Sequence, residues 1–503
     1  MDVLGYLGLG FSVLLTPTNL FYCFLGALLG TLIGVLPGIG PTAGIAILIP
    51  VSAGLEPTTA IIMLAGIYYG SMYGGSTTAI LINTPGEAAS VPTTLDGYQM
   101  ARQGRAGPAL GMAAVSSFVA GTIAVFLLML LAPLLASVAL DFGPPEYFAL
   151  MALGLTIIVS LAGKSLVKGL FAGLFGMFLA TVGLDPMTGQ TRFAFGNASL
   201  MGGIDFISVV VGLFAIPEVL SNLEGEELRV YDTKLKNVFP TREDLRRTAG
   251  TLLRSGFLGF FIGILPGASA AVASFIAYDV EKKLSSHPER FGTGLIQGVA
   301  APEGANNSAA GGGMVPLLTL GIPPSAPLAV LLGALMIHGL RPGPLLFEQN
   351  PQFVWGLIAS MYVGNVVLLV LNLPLVGIWA RLVKVPYPLL AAMVLVLCFV
   401  GAYGVRNSIF DIWVAIGFGA MGYLMRKLDF PAAPVVLALI LSPMMESALR
   451  QSLIISKGSL DIFVTRPMSL ALLVLAAVSI SVSIYTRVRA ASRTETFIES
   501  ISG

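Results

Sequence analysis

Two uninterrupted apolar stretches, near residues 108–137 and 351–380, are each longer than the roughly 20 residues that cross a bilayer as a helix. They are flanked by many shorter ones, near 20–36, 43–53, 57–72, 146–162, 167–184 and 203–220 in the first half of the chain. In the second half the apolar stretches fall near 248–265, 268–280, 294–301, 325–337, 388–404, 409–425, 431–445 and 467–486. Only 11% of the 503 residues are charged, against about a quarter in ordinary globular domains. A water-soluble chain would have to expose much of that apolar surface, so the solvent is lipid. The expectation is an all-α polytopic membrane protein. Its 59 glycines and 31 prolines suit membrane helices that are broken, closely packed or re-entrant. A net charge of +1 offers no field for nucleic acid. Cys23 and Cys398 both lie in apolar runs, which argues against a disulfide framework or a thiolate metal site.

The first 101 residues contain no Lys or Arg, so no cleavable signal peptide is read there. Val3–Leu15 is short for a span and is expected to lie along the interface. Residues 222–247 hold six bases and six acids and read as a linker. Arg102 and Arg105, Lys164 and Lys168, that linker, Lys282 with Lys283, Arg381 with Lys384, Arg426 with Lys427, and the basic tail can share one side. By the positive-inside rule that side is the cytoplasm, if 108–137 and 351–380 are single tilted spans. The loop at Arg450, Lys457 and Arg466 then falls outside.

The chain contains itself twice. Gly34–Gly40 (GVLPGIG) returns as Gly263–Ser269 (GILPGAS), an offset of 229, and Gly173-Leu-Phe-Gly-Met returns as Gly417-Phe-Gly-Ala-Met, an offset of 244. Leu184-Asp185-Pro186 resembles Leu428-Asp429-Phe430-Pro431. Pro144-Pro145-Glu146-Tyr147 lines up with Pro386-Tyr387-Pro388. The drift fits one insertion, Asp279–Gly292. Equivalent loops carry opposite charge character: 138–146 has no base where its counterpart has Arg381 and Lys384. This predicts two inverted-topology repeats. The resulting division is an N-terminal segment 1–19, a first repeat 20–221, the linker 222–247, a second repeat 248–445, and a loop, last span and basic tail over 446–503.

Each half carries one Gly/Ser/Thr/Asn-rich interruption: GSMYGGSTTAILINTPGE from Gly70 to Glu87, and PEGANNSAAGGGMVPLLTLGIPPSA from Pro302 to Ala326. Paired interruptions point to a transporter's binding site. Small residues let backbones approach and release N–H and C=O groups, which can hold an anion or, with Asn and Ser oxygens, a hard cation such as Na⁺. Ser76-Thr77-Thr78 and Asn306-Asn307-Ser308 are costly near mid-membrane unless they meet partners or a ligand. Glu303 reads either as a coupling carboxylate or as a residue at the membrane edge. Gly38 and Gly267, in the two Leu-Pro-Gly elements, read either as packing or as functional. Asn83-Thr84-Pro85-Gly86 and Gly321-Ile322-Pro323-Pro324 read as part of the site or as helix-ending turns. A Na⁺ site is expected near Asn83, Asn306 and Asn307.

His338 reads as interfacial, and Asp185 and Asp429 as helix caps. Tyr278-Asp279 lacks the Gly-x-Gly-Asp partner that an intramembrane aspartyl protease needs, so no enzyme is expected. No phosphate-binding loop or nucleophile elbow occurs, no cofactor is expected, and transport must draw on an ion gradient. A channel with a static filter is a rival reading. So is a self-sufficient carboxylate carrier.

At these motifs the chain resembles the TctA-type large membrane subunit of bacterial tripartite tricarboxylate transporters, from about residue 20 to 445. On the matching positions the resemblance implies functional roles for Gly70, Ser71, Gly74, Gly75, Ser76, Thr77, Thr78, Asn83, Pro85 and Gly86. In the second motif these are Pro302, Glu303, Gly304, Asn306, Asn307, Ser308, Gly311, Gly312, Gly321 and Pro323. Pro324 departs from the family, where glycine often follows Ile-Pro, and stiffens the turn. The resemblance implies a multi-pass carrier of the bacterial inner membrane, with the linker and C-terminus cytoplasmic. It implies uptake of citrate-like di- and tricarboxylates with Na⁺ or H⁺. Its implied partners are a small membrane subunit (TctB type) and a periplasmic binding protein (TctC type). An elevator is expected, with the motif hairpins carrying the site past a scaffold formed partly by 108–137 and 351–380, and a rocking bundle is the alternative that inverted repeats also support.

Overall fold

A computed structural model describes residues 3–502 except 37–38, 162–164, 186, 225–236, 266, 268, 383–384 and 386. The first half runs α1 (Val3–Leu14), α2 (Pro17–Val35), α3 (Gly40–Ser52), α4 (Pro57–Ile82), α5 (Val91–Arg102), α6 (Ala106–Ala139), α7 (Pro144–Leu161) and α8 (Leu166–Ala180). A hairpin of β1 (Gly183–Leu184) and β2 (Thr191–Arg192) follows, then α9 (Ala198–Met201), α10 (Phe206–Val210) and α11 (Ile216–Leu223). The second half runs α12 (Arg242–Ile264), α13 (Ala270–Leu284), α14 (Gln297–Leu320), α15 (Ala326–Ile337), α16 (Pro344–Gln349) and α17 (Pro351–Asn372). It continues with α18 (Val376–Leu382), α19 (Tyr387–Arg406), α20 (Ile409–Lys427), α21 (Ala433–Ile455), α22 (Ile462–Thr465) and α23 (Pro467–Ser502).

Among the described residues eight helices are long and apolar enough to cross a membrane, with Phe206–Leu223 counted as one helix through a π turn. α4 and α14 have the length but are too polar to be among them. Both are instead sheathed by other helices: every residue from Thr59 to Ile82 and from Gly298 to Thr319 is buried. Polar helices at membrane depth persist only with such protein cover.

The chain forms two compact units, each drawing on both sequence halves: residues 1–140 with 207–423, and residues 141–206 with 424–503. In the first unit, glycines set the spacing. A Cβ on Gly30 of α2 would stand 2.8 Å from Ile67 Cα of α4, and one on Gly259 of α12 would stand 2.7 Å from Ala305 Cα of α14. Gly34 meets Ser71 in the same way, and Gly263 meets Ala309. The pairs Gly74–Thr31 and Gly312–Phe260 repeat the relation from the other side. The α2–α4 contact is thus rebuilt by α12–α14 at corresponding positions.

Other contacts recur with the halves exchanged. α5 packs on α14 while α15 packs on α4, and α6 packs on α12 while α17 packs on α2. α1 lies against α17, with Tyr6 stacked on Trp355 at 5.3 Å between ring centroids. In the second unit α21 packs against α7 and α8, and α23 packs against α7. Ion pairs tie this unit together: Arg466–Glu146 at 2.6 Å, Arg450–Asp185 at 2.8 Å and Arg192–Glu446 at 2.8 Å.

Several expectations are corrected. The Gly/Ser/Thr-rich runs do not break their helices: α4 continues to Ile82 and α14 to Leu320, and the breaks fall in the turns after them. Small residues here bring backbones together without freeing the helix hydrogen bonds. The stretch 351–380 is not one span, because α17 ends at Asn372 just before Pro374, which cannot continue a helix. Within the polar segment 222–247, α12 begins at Arg242 behind a capping box in which Thr241 and Asp244 satisfy each other's backbone N–H. Asp185 is not a helix cap. Its Oδ1 accepts the Met187 and Thr188 N–H groups within the hairpin loop. Asp429 stands just past the end of α20 in left-handed backbone, φ 54°. Pro186, Pro266, Lys164, Lys384 and Pro386 lie outside the described residues. α6 packs on α14 and α17 packs on α4.

Candidate functional site

α4 and α14 end alike. Asn83 caps α4 in left-handed backbone (φ 57°), and Gly321 caps α14 in the same conformation (φ 70°). Asn and Gly are the residues that adopt it at least cost. Thr84 N–H then reaches Thr78 C=O at 3.4 Å, and Ile322 N–H reaches Pro316 C=O at 3.2 Å. Pro85 and Pro323 follow at corresponding places and stop each helix. The two turns are backed by the Leu-Pro-Gly elements. Gly86 donates to Gly75 C=O at 3.3 Å, and a Cβ on Gly86 would collide with the Gly34 carbonyl. Gly267, at φ 78°, donates to Pro324 C=O at 3.0 Å. Gly38 lies outside the described residues.

Three hydroxyls of the first motif donate within α4, and that of Tyr73 donates to Asn365 of α17. Ser71 donates to Tyr68 C=O at 2.7 Å, Ser76 to Tyr73 C=O at 2.7 Å and Thr78 to Gly75 C=O at 3.2 Å. Thr77 is buried beside them. Gly70 approaches the Ala27 carbonyl, where a Cβ would stand at 2.9 Å. Back-bonding of this kind satisfies the hydroxyl hydrogens of Ser71, Ser76 and Thr78 and leaves their oxygen lone pairs free. In the second motif Ser308 donates to Gly256 C=O, and Gly304 leaves room for Ser116 and Ser255, while Gly311 faces Ala124.

The unsatisfied polarity sits on α14. Glu303, Asn306 and Asn307 fall at i, i+3 and i+4, hence on one face. All three are buried. Thr93 of α5 donates to Glu303 Oε1 at 2.5 Å, Asn306 Nδ2 donates to Glu87 Oε1 at 2.7 Å, and Asn307 Nδ2 donates to Ser117 Oγ of α6 at 2.7 Å. Yet Glu303 Oε2, Asn306 Oδ1 and Asn307 Oδ1 are buried without a hydrogen-bond partner among the described residues. Buried acceptors left this way are costly and rare.

The face therefore collects Asn306, Asn307 and Glu303 from the sequence expectation, but not Asn83, which makes no hydrogen bond to either asparagine among the described residues. Sequence reasoning passed over Glu87, Thr93 and Ser117. Glu87 was legible as the last residue of the first motif. Thr93 and Ser117 carried no signal beyond being hydroxyls near spans. Partner exchange extends to these side chains: as Asn307 meets Ser117, so Tyr69 reaches Ser360 C=O at 3.5 Å.

Asp96 of α5 supports the region and does not enter it. Its carboxylate accepts the N–H groups of Gly292, Gly294 (2.8 Å) and Leu295 (2.7 Å) and the Tyr278 hydroxyl, clamping the loop that leads into α14. Tyr278 is thereby explained as structural. His338, half-buried, meets Ser52 at 3.0 Å. No group of three or more His, Cys, Asp or Glu fit to hold a metal occurs among the described residues.

The family model of the tripartite tricarboxylate transporter TctA family matches residues 20–437. An Agrobacterium vitis chain, the uncharacterized 52.8 kDa protein in the TAR-I ttuC' 3' region, is 47% identical over 500 residues, covering 99% of both chains. A second from that organism, the uncharacterized protein in the TAR-II ttuC' 3' region, is 40% identical over 241 residues, 48% of this chain and 99% of its own. No solved structure matches the chain. The matched span contains both left-handed turns and the whole buried polar face between them, and this multi-pass membrane protein belongs to the tripartite tricarboxylate transporter TctA family of transport proteins.

Proposed function

We propose that this chain is the translocating subunit of a secondary carrier for di- and tricarboxylates of the citrate kind, fed by a periplasmic binding protein and driven by a Na⁺ or H⁺ gradient. The observation that carries the reading is the buried polar face of α14, with its three unpartnered oxygens, set among two helices that both end in left-handed turns. A substrate carboxylate would be received by backbone N–H groups and hydroxyls near the turns, since neither motif holds a basic side chain. A small membrane subunit completes the assembly, placed in the bacterial inner membrane with the linker and C-terminus cytoplasmic.

The halves are read as inverted repeats. Support comes from the exchanged contacts, α5 on α14 against α15 on α4, which a two-fold relation generates. The moving part of the proposed elevator then includes α6 and α17 together with the turns.

The test is radiolabelled citrate uptake, with a panel of dicarboxylates and aromatic carboxylates, into proteoliposomes holding this chain and its small membrane partner. The expected result is accumulation that requires both the binding protein and the cation gradient. Accumulation without the binding protein would make it a self-sufficient carrier, and flux that only equilibrates would make it a channel.

A further inference from the structure

Taking the carrier reading as given, we infer that Glu303, Asn306 and Asn307, closed by Glu87 and Ser117, form a binding site for one sodium ion. Glu303 Oε2, Asn306 Oδ1 and Asn307 Oδ1 are all acceptors, and no unpartnered donor occurs at the site among the described residues.

The amide orientations are fixed by chemistry. Asn307 Nδ2 faces the Glu303 carbonyl at 3.1 Å as well as Ser117 Oγ, so a flipped amide would set oxygen against oxygen. Asn306 Nδ2 faces a Glu87 carboxylate oxygen, with the same consequence on flipping. The surplus of lone pairs is therefore a property of the site.

A proton satisfies such a site incompletely. Placed on Glu303, it converts one acceptor to a donor and reaches one neighbour, leaving the third oxygen unmet. A hard monovalent cation takes lone pairs from all three, and carboxylate, amide and hydroxyl oxygens are the ligands it prefers. Charge agrees: among the described residues Glu303 and Glu87 are bonded by neutral donors, Thr93, Asn306 and Ser90, and by no cation. Glu87 belongs to the turn that ends α4 and also holds Asn306, so occupation of the site is coupled to that turn. Asn83, expected from sequence to join a sodium site, is not among its ligands.

The test uses the purified full-length chain, with NaCl exchanged for choline chloride at constant ionic strength, read by thermal unfolding and by direct ²²Na⁺ binding. Wild type is expected to show a saturable rise in midpoint with Na⁺ and matching ²²Na⁺ binding. Glu303→Gln and Asn307→Ala are each expected to weaken both by about tenfold or more, since affinity follows ligand charge and number. Asn307→Asp, which keeps an oxygen at the site, is expected to retain binding, and Gly417→Ala, a helical position with open space around it, to leave it unchanged.

Unaltered Na⁺ binding in both Glu303→Gln and Asn307→Ala would overturn the inference, as would a wild-type chain that binds no Na⁺ but exchanges a proton. Wild type that accumulates carboxylate on a pH gradient without Na⁺ would sink the site and leave the carrier reading standing. Wild type that binds Na⁺ at these residues but never accumulates substrate would do the reverse.

Discussion

Replacing Gly30 or Gly259 by alanine tests the close helix approach that frames the site. The new methyl would stand 2.8 Å from Ile67 Cα in one case and 2.7 Å from Ala305 Cα in the other, and in both it presses on the same residue's carbonyl oxygen. Carbon atoms rest at about 3.5–4.0 Å, so each helix pair must part by about 1 Å, and a gap of that size forfeits roughly a quarter to a half of each dispersion contact it opens. Within a membrane those contacts are the main force between helices. Overpacking of this kind costs about 1–3 kcal/mol. Because backbone rather than a flexible side chain is struck, the upper end applies, offset by about 1 kcal/mol from alanine's better helix propensity. The expected net loss is about 2 kcal/mol at either position. Thermal unfolding of the purified protein measures it, with Gly417→Ala as the control that keeps only the propensity gain. Midpoints of Gly30→Ala and Gly259→Ala that fall together, below wild type, support the correspondence between the two helix pairs. A Gly259→Ala midpoint level with Gly417→Ala would refute the backbone contact between α12 and α14.

Three further outcomes follow from single side chains. Asp96→Asn removes the charge that three backbone N–H groups and Tyr278 share, and hydrogen bonds to a charged group contribute about 1.5–3 kcal/mol each. Hydrogen exchange at Gly294 and Leu295 is expected to accelerate, and unchanged protection would contradict the clamp. Asp185 is held down to about 2 by the Met187 N–H, with help from Arg450 and the Thr188 N–H, against an ordinary value of 3.8. Its contribution to stability is present above the ordinary value and lost as pH falls through about 2. Asp185→Asn should therefore flatten the acid sensitivity of unfolding between about pH 4 and pH 2, and an unaltered acid profile would count against that role. Glu87→Gln keeps the side chain's size but turns the carboxyl that Asn306 faces into an amide, and uptake is expected to fall by about tenfold or more, the scale of one buried hydrogen bond. Full uptake in Glu87→Gln would exclude Glu87 from the site.

Much of this architecture is readable along the chain because the bilayer demands it. Apolar runs become helices, and the Asn-Thr-Pro-Gly and Gly-Ile-Pro-Pro segments end them, since Asn, Gly and Pro have few other uses there. The Asp279–Gly292 insertion also falls where α13 leads through its loop toward α14. What misled was the meaning of small residues. Gly70–Thr78 and Asn306–Gly313 read as broken helix, but a neighbouring backbone at contact distance is as good a reason for glycine as a bend, and sequence alone does not tell the two apart. Hydroxyls misled for a related reason: Ser76 and Thr78 look costly until their donation to their own helix is seen. Thr93 was hidden because its partner lies more than 200 residues away in the sequence, and Glu87, though the last residue of the first motif, gave no sign of its equally distant partner Asn306. The separation of 141–206 and 424–503 from the rest has no linker to mark it.

The most direct test of the central claim is an experimental structure of this chain with its small membrane partner, a transported carboxylate and Na⁺. The account predicts substrate beside the turns at Asn83–Glu87 and Gly321–Ser325, with the ion on Glu303, Asn306 and Asn307. Substrate and ion bound instead within residues 141–206 or 424–503, with the α14 face unchanged, would contradict it.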